Sequence, residues 1–268
     1  MDQRPLGIFD SGIGGLTVVR ALHELLPGEK LIYLGDTARV PYGNKSADTI
    51  TRYSREISAF LLTQNVKAVI VACNTASAYA LAALGRELPV PVFGVIEPGV
   101  SAALVATRAH RVGIIGTIGT INSGVYQRRL RQRQPDIDIT ARATPLLVPL
   151  IEEDWLEHPA TRAILEEYLQ PLRLARIDTL VLACTHYPLL KPLLLSLLGR
   201  DIALVDSAET CARFVRETLA QAGRLAAADG EQPVDVYLTD LPVHFQEAGE
   251  RFLRQGLRKV EVVAVDGK

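Results

Sequence analysis

Short runs of β-branched and aliphatic residues recur along this 268-residue chain, each followed by a longer stretch whose apolar positions return every three or four residues. The runs "LGIFD" (6–10), "LIYLGD" (31–36), "AVIVAC" (68–73), "PVFGVI" (91–96) and "RVGIIGT" (111–117) predict strands. So do "TLVLAC" (179–184), "IALVD" (202–206), "VDVYLTD" (234–240) and "VEVVAV" (260–265). Between them, Ile50, Tyr53, Ile57, Phe60 and Leu61 repeat at helical spacing and predict a helix over 46–64 with Ser46 as N-cap. Residues 16–26, closed by Pro27-Gly28, predict another. Such alternation of strands and helices means α/β architecture with largely parallel sheets. Residues 68–85 carry no charge, but Asn74, Thr75 and Ser77 interrupt them. A strand turning into a helix accounts for that stretch better than a membrane span.

The pattern contains a faint duplication. "GIFDSG" (7–12) aligns with "GIIGTI" (113–118), and "VIVACNTASA" (69–78) with "LVLACTHYPL" (180–189). Two pseudo-symmetric, open, largely parallel-sheet domains follow, with a site in the cleft between them. The expected division is 1–98 plus about 208–268 for one domain and 99–207 for the other, crossing near Pro98-Gly99. No low-complexity linker separates the halves, so they should pack closely.

Composition narrows the function. Hydrophobic residues make up 48% and charged residues 22%, the balance of a globular domain large enough for a substantial core. A net charge of −1 gives no footprint for nucleic acid, and Arg128, Arg129, Arg131 and Arg133 read as one solvated helix face. The first residues show no secretory signal, and the three cysteines, Cys73, Cys184 and Cys211, fit neither a disulfide framework nor a Cys-x-x-Cys zinc site. A cytoplasmic protein with free thiols is expected, with no membrane partner.

Cys73 and Cys184 both end a predicted strand, where open α/β sheets bind ligands and where helix N-termini favour a thiolate. A buried cysteine is also a small hydrophobe that ends many strands, which is the reading for Cys211 in the helical "SAETCARFV". Duplication favours chemistry for the other two. A reaction that removes a proton from one face of a carbon and returns one to the opposite face needs a base and an acid facing each other. A thiolate and a thiol on opposite walls of a cleft fit that task. His186, two residues past Cys184, is the candidate helper there, and Asp10, at the end of the first strand, is the candidate for Cys73. "DSGIGGLT" matches no phosphate-loop pattern, though its turn with Ser11 could bind a carboxylate through backbone N–H groups. Thr117 and Thr120 could act likewise, and "VPYGNKS" brings Tyr42 and Gly43 in a turn. A Cys184–His186 nucleophile of the protease kind would leave Cys73 without a role. A two-lobed anion-binding protein would leave both thiols without one.

The motifs "GIFDSGIGGLTV", "YLGDTARVPYGNKS", "VACNTASA", "GVIEPG", "IGTIGTINSGVY", "VPLIEED" and "LACTHYPLL" resemble those of the glutamate racemases over almost the full chain. Departures are Gly119 where alanine is commoner, Thr144 where many relatives have cysteine, and Ala183 where glycine is usual. The resemblance implies interconversion of L- and D-glutamate for peptidoglycan synthesis, without pyridoxal phosphate, metal or other cofactor. It assigns Cys73 to deprotonate D-glutamate and Cys184 to deprotonate L-glutamate. Asp10 and His186 would assist, with Glu152 and Asp36 as auxiliaries. Substrate contacts would fall on Ser11, Tyr42, Gly43, Asn74, Thr75, Thr117, Thr120 and Thr185. A homodimer is the assembly it allows, and an aspartate or hydantoin racemase is the nearest competing reading.

Overall fold

The structure, a computed structural model, describes residues 1–227, 230–257 and 259–265. It opens with β1 (Leu6–Asp10), α1 (Leu16–Leu25), β2 (Leu31–Gly35), α2 (Ala47–Thr63), β3 (Ala68–Val71), α3 (Asn74–Tyr79), α4 (Leu81–Glu87) and β4 (Val92–Gly94). Helix α5 (Ile96–Ala106) then leads to β5 (Arg111–Gly116), α6 (Ile118–Asn122), α7 (Val125–Arg133) and β6 (Asp138–Ala143). Next come α8 (Leu147–Glu152), α9 (Pro159–Leu174), β7 (Thr179–Ala183), α10 (Lys191–Leu198) and β8 (Ala203–Asp206). The last described elements are α11 (Ser207–Gln221), β9 (Val234–Leu238), α12 (Phe245–Leu253) and β10 (Val260–Val262).

The strands form two sheets of wholly parallel pairs, ordered β10-β9-β2-β1-β3-β4 and β6-β5-β7-β8. The duplication in the sequence is therefore a duplication of topology: β2-β1-β3-β4 recurs as β6-β5-β7-β8. β1, β2, β3 and β7 are buried at every position, as befits interior strands covered on both faces by helices. β6 was not anticipated. It is an edge strand, half exposed, whose Asp138, Thr140 and Arg142 mask the apolar signal on which strand prediction depends.

Local chemistry explains the ends. Ser46 caps α2 by accepting from the Thr49 N–H at 3.3 Å, as its position predicts. The crossing from first sheet to second is helix α5 itself, with Pro98 in its first turn, where a missing N–H costs little. One buried apolar cluster runs unbroken from β1 and α1 through α5 and α11 to β5 and β7, so the halves do pack closely. A smaller cluster fills the space under α2. The four arginines lie on α7 or at its end, where Arg129 and Arg133 pair with Glu97. Among the described residues, no helix is long and apolar enough to cross a membrane.

Candidate active site

Strand register places the two cysteines equivalently. β1 and β3 run with Phe9 opposite Val71, which sets Asp10 beside Ala72; β5 and β7 run with Gly116 opposite Ala183. In each sheet the residue that follows the alanine is a cysteine, and both thiols line one cavity of about 100 Å³. That is below the roughly 300–1,000 Å³ of drug-sized pockets and suits a small molecule. Ser11, Tyr42, Gly43, Asn74, Thr75, Thr117, Thr185 and His186 share its surface.

Around Cys73 the environment is apolar and anionic. The residue is the N-cap of α3, and its Sγ accepts from the Ala76 N–H at 3.4 Å while lying 3.6 Å from the Ser11 hydroxyl. The helix N-terminus was expected to ease ionisation, but burial outweighs it, and Asp10 adds to the effect. Together they push the Cys73 thiol up to about 12. Asp10 stands behind Ser11, off the cavity wall. The N–H of Gly12 donates to its Oδ2 at 3.2 Å, and those of Gly15 and Ser11 face the same carboxyl. The glycine-rich turn thus cradles the carboxyl of its own Asp10. Burial raises the Asp10 pKa, against the charge of His186 and these N–H groups.

The other wall is a relay. Sγ of Cys184 lies 3.8 Å from Nδ1 of His186, whose Nε2 is 2.9 Å from Oε1 of Glu152 at the end of α8. Burial alone would lower the histidine, yet its contacts with Cys184 and Glu152 prevail and hold it up at about 10. Cys184 leads into a single 3₁₀ turn (Tyr187–Leu190), so it lacks the α-helix N-terminus that Cys73 caps. A Cβ added at Gly14 would lie 2.4 Å from both His186 Nδ1 and Thr185 Oγ1. Only a glycine lets the turn of the first half approach His186 this closely.

The remaining residues divide into groups open to the cavity and groups spent on holding it. The hydroxyls of Thr75, Thr117 and Thr120 form a triangle with sides of 2.8, 2.9 and 3.1 Å, with Thr120 behind the other two. Asn74 is spent: its Nδ2 donates to Ser207 at 3.2 Å and its Oδ1 accepts from Tyr126 at 2.8 Å. The Tyr42 hydroxyl donates to Asp36, so Tyr42 offers the cavity its ring and backbone. Asp36 is not brought to the thiols. Its buried carboxylate accepts from Arg39, Tyr42 and Thr239 and fixes the loop that carries Tyr42 and Gly43.

Sequence reasoning missed Thr144, Pro145 and Val148, which wall the cavity near Cys184, and Pro41, Asn44 and Ile118. The duplication held the signal for the first three. The loop after β2 supplies residues 41–44, and β6 is the counterpart of β2, so the loop after β6 should also face the cavity. Without β6 that step could not be taken.

Two thiols at equivalent strand ends on one small cavity define the class to which the comparisons point: the family model for Asp/Glu/Hydantoin racemase matches residues 13–215. A glutamate racemase of Syntrophus aciditrophicus is 53% identical over 98% of this chain and 97% of its own. The crystal structure of a glutamate racemase isoform from Bacillus anthracis superposes with a TM-score of 0.95 at 36% identity, covering 100% of both chains. That of the Francisella tularensis glutamate racemase in complex with D-glutamate gives 0.92 at 37%, covering 99% of each. The chain belongs to the glutamate racemase family.

Proposed function

We propose that this protein interconverts L- and D-glutamate by two-base proton transfer at Cα, supplying D-glutamate for peptidoglycan synthesis. The observation that carries the reading is the register that sets Cys73 and Cys184 at equivalent strand ends on one cavity. The sulfur on one wall, as thiolate, takes the Cα proton; the thiol on the other wall gives its proton to the opposite face. Bonds and charge then balance with no oxidant or reductant. Cys184 serves L-glutamate and Cys73 D-glutamate, and the roles exchange on reversal. His186, protonated and linked to Glu152, manages the proton of Cys184; Asp10 serves Cys73 through Ser11 and the turn it organises.

Substrate contacts fall on Ser11, Thr75, Thr117 and Thr185 by hydroxyl, with Thr120 in support, and on Gly43, Asn74 and Tyr42 by backbone or ring. The substrate carboxylates are then held by neutral donors. The work needs no pyridoxal phosphate and no metal, and a chelator should leave the rate unchanged. We place the division between the domains at 1–98 plus about 208–268 against 99–207, and the protein in the cytoplasm as a homodimer.

The experiment is incubation with each glutamate enantiomer in heavy water, following optical rotation and Cα deuteration. Loss of rotation with one deuterium per inverted molecule is expected from either enantiomer. Unchanged rotation and no deuteration at high enzyme concentration would overturn the reading.

A further inference from the structure

Helix α12 is far in sequence from both cysteine motifs, yet its last turn reaches the His186–Glu152 pair. Arg251 Nη2 donates to the backbone carbonyl of Glu152 at 2.9 Å and lies 3.5 Å from that of Ile151, while its Nε is 3.3 Å from Oδ1 of Asp154. These carbonyls lie in the last turn of α8, at the negative end of its dipole; that of Ile151 also accepts from the Asp154 N–H at 3.1 Å, whereas that of Glu152 has Arg251 as its partner. The next residue, Phe252, is fully buried and meets the His186 ring edge to face, with centroids 5.1 Å apart and planes at 82°. Successive residues of one helix therefore contact both members of the pair.

The Glu152 side chain is 44% exposed, so burial does not fix its direction. It stands on a helix of only six residues, and the guanidinium seizes the peptide that carries it. The planar fork of arginine suits two carbonyls and a carboxylate together, which the single ammonium of lysine does not. His186 has the converse problem: it is buried but must keep Nδ1 toward Cys184 and Nε2 toward Glu152. The edge contact of Phe252, with Gly14 close to Nδ1, restricts the ring to that orientation. Arg20 of α1 reaches the Phe252 carbonyl at 3.4 Å and anchors the brace to the first half.

We propose that α12 braces the proton-transfer relay at Cys184, with Arg251 and Phe252 as positioning residues for Glu152 and His186. The inference rests on the reading of Cys184 as an acid/base thiol. Neither residue touches the reacting atoms; each acts by geometry, and displacements near 1 Å in such relays cost about 100-fold in rate.

The test uses Arg251→Met, Arg251→Lys and Phe252→Leu in the full chain. Steady-state racemisation, the NMR titration of the His186 ring and thermal melting are measured on the same samples. His186 is faced by Cys184, Glu152 and Asp10, so its titration reports the integrity of the relay directly. Arg251→Met should lower kcat about 10- to 100-fold with KM within about twofold, and move the His186 titration to lower pH. Arg251→Lys should recover part of both, and Phe252→Leu should lower kcat in the same manner. Lower melting temperatures with unchanged kcat and His186 titration would overturn the brace, as would a rise in KM alone. Failure of the underlying reading looks different: the wild-type protein would not racemise, whereas the His186 titration would still move in Arg251→Met.

Discussion

The two walls of the cavity occupy the same place in a repeated sheet and present different electrostatics. On the first, Cys73 sits in a low-dielectric setting over a helix N-terminus, with the buried carboxyl of Asp10 nearby. On the second, Cys184 faces a histidine that an exterior carboxylate helps to keep protonated. Position is duplicated and proton management is not. The topology sets two thiols at equivalent strand ends on one cavity; in the proposed reaction the helpers need only deliver a thiolate on one side while the other side holds its proton. The difference also crosses the cavity, because the charge of His186 acts on Asp10. Asymmetry between the walls is thus one coupled arrangement rather than two local accidents.

The largest effect should come from removing either thiol. Cys73→Ala and Cys184→Ala should each reduce racemisation by roughly a thousandfold or more, the upper range for loss of a general acid or base. The comparison sharpens in heavy water. Cys73→Ala should still exchange the Cα hydrogen of L-glutamate without inverting it, and Cys184→Ala that of D-glutamate. Exchange of the same enantiomer in both variants would break the assignment of sides. Next in size are the helpers. His186→Asn and Asp10→Asn should each lower kcat about 10- to 100-fold. Only His186→Asn should abolish the alkaline limb near pH 10, since that ionisation belongs to the second wall. Identical pH profiles in the two variants would show that the walls share one titrating group.

How far the sequence carried this picture depended on which residues speak locally. Interior strands such as β3 and β7 are legible because they are apolar at every position but Thr179, and the cysteines because each closes such a run. His186 was legible by adjacency to Cys184. β6 was not, because an edge strand with Asp138 and Arg142 carries no clean alternation, and Thr144, Pro145 and Val148 were lost with it. Nor could sequence separate groups that face the substrate from groups that hold those groups. Asn74 and Asp36 are polar residues in motifs, but their partners Ser207, Tyr126 and Thr239 come from distant elements, and Tyr42 is held in turn by Asp36. Arg251 and Phe252 belong to the same category.

The walls should also lose stability in different pH windows. His186 titrates near 10 in the folded protein against an ordinary value of 6.5, so protons favour the folded state. Its contribution is complete below about pH 6.5 and disappears as pH rises through about 10. Cys73 is also raised, from an ordinary value of 9.0 to about 12. Its neutral form is favoured by folding, so its contribution holds below about pH 9 and fades toward pH 12. The melting-temperature gap between wild type and His186→Asn should therefore narrow between pH 6.5 and 10. The gap for Cys73→Ala should stay constant over most of that range. For a chain of this size each kcal/mol corresponds to about 2–4 °C, which calorimetry resolves. Parallel narrowing of both gaps would mean that His186 and Cys73 titrate as one unit.

The smallest effect belongs to Cys211, and it decides what marks a functional thiol here. Burial pushes Cys211 up to about 12, the same value as Cys73, and both are buried. If a raised pKa or burial identified the chemistry, the two would be equivalent. Cys211 lies in the second turn of α11 among apolar neighbours, and the residues lining the cavity do not include it. Cys73 has Ser11, Asp10 and the end of a parallel strand beside it. Cys211→Ala should therefore leave kcat and KM within about twofold and cost about 1 kcal/mol of stability from the small void, about 2–4 °C in melting temperature. A tenfold loss of kcat at an unchanged melting temperature would show that α11, which also supplies Ser207 to Asn74, transmits to the site more than packing predicts.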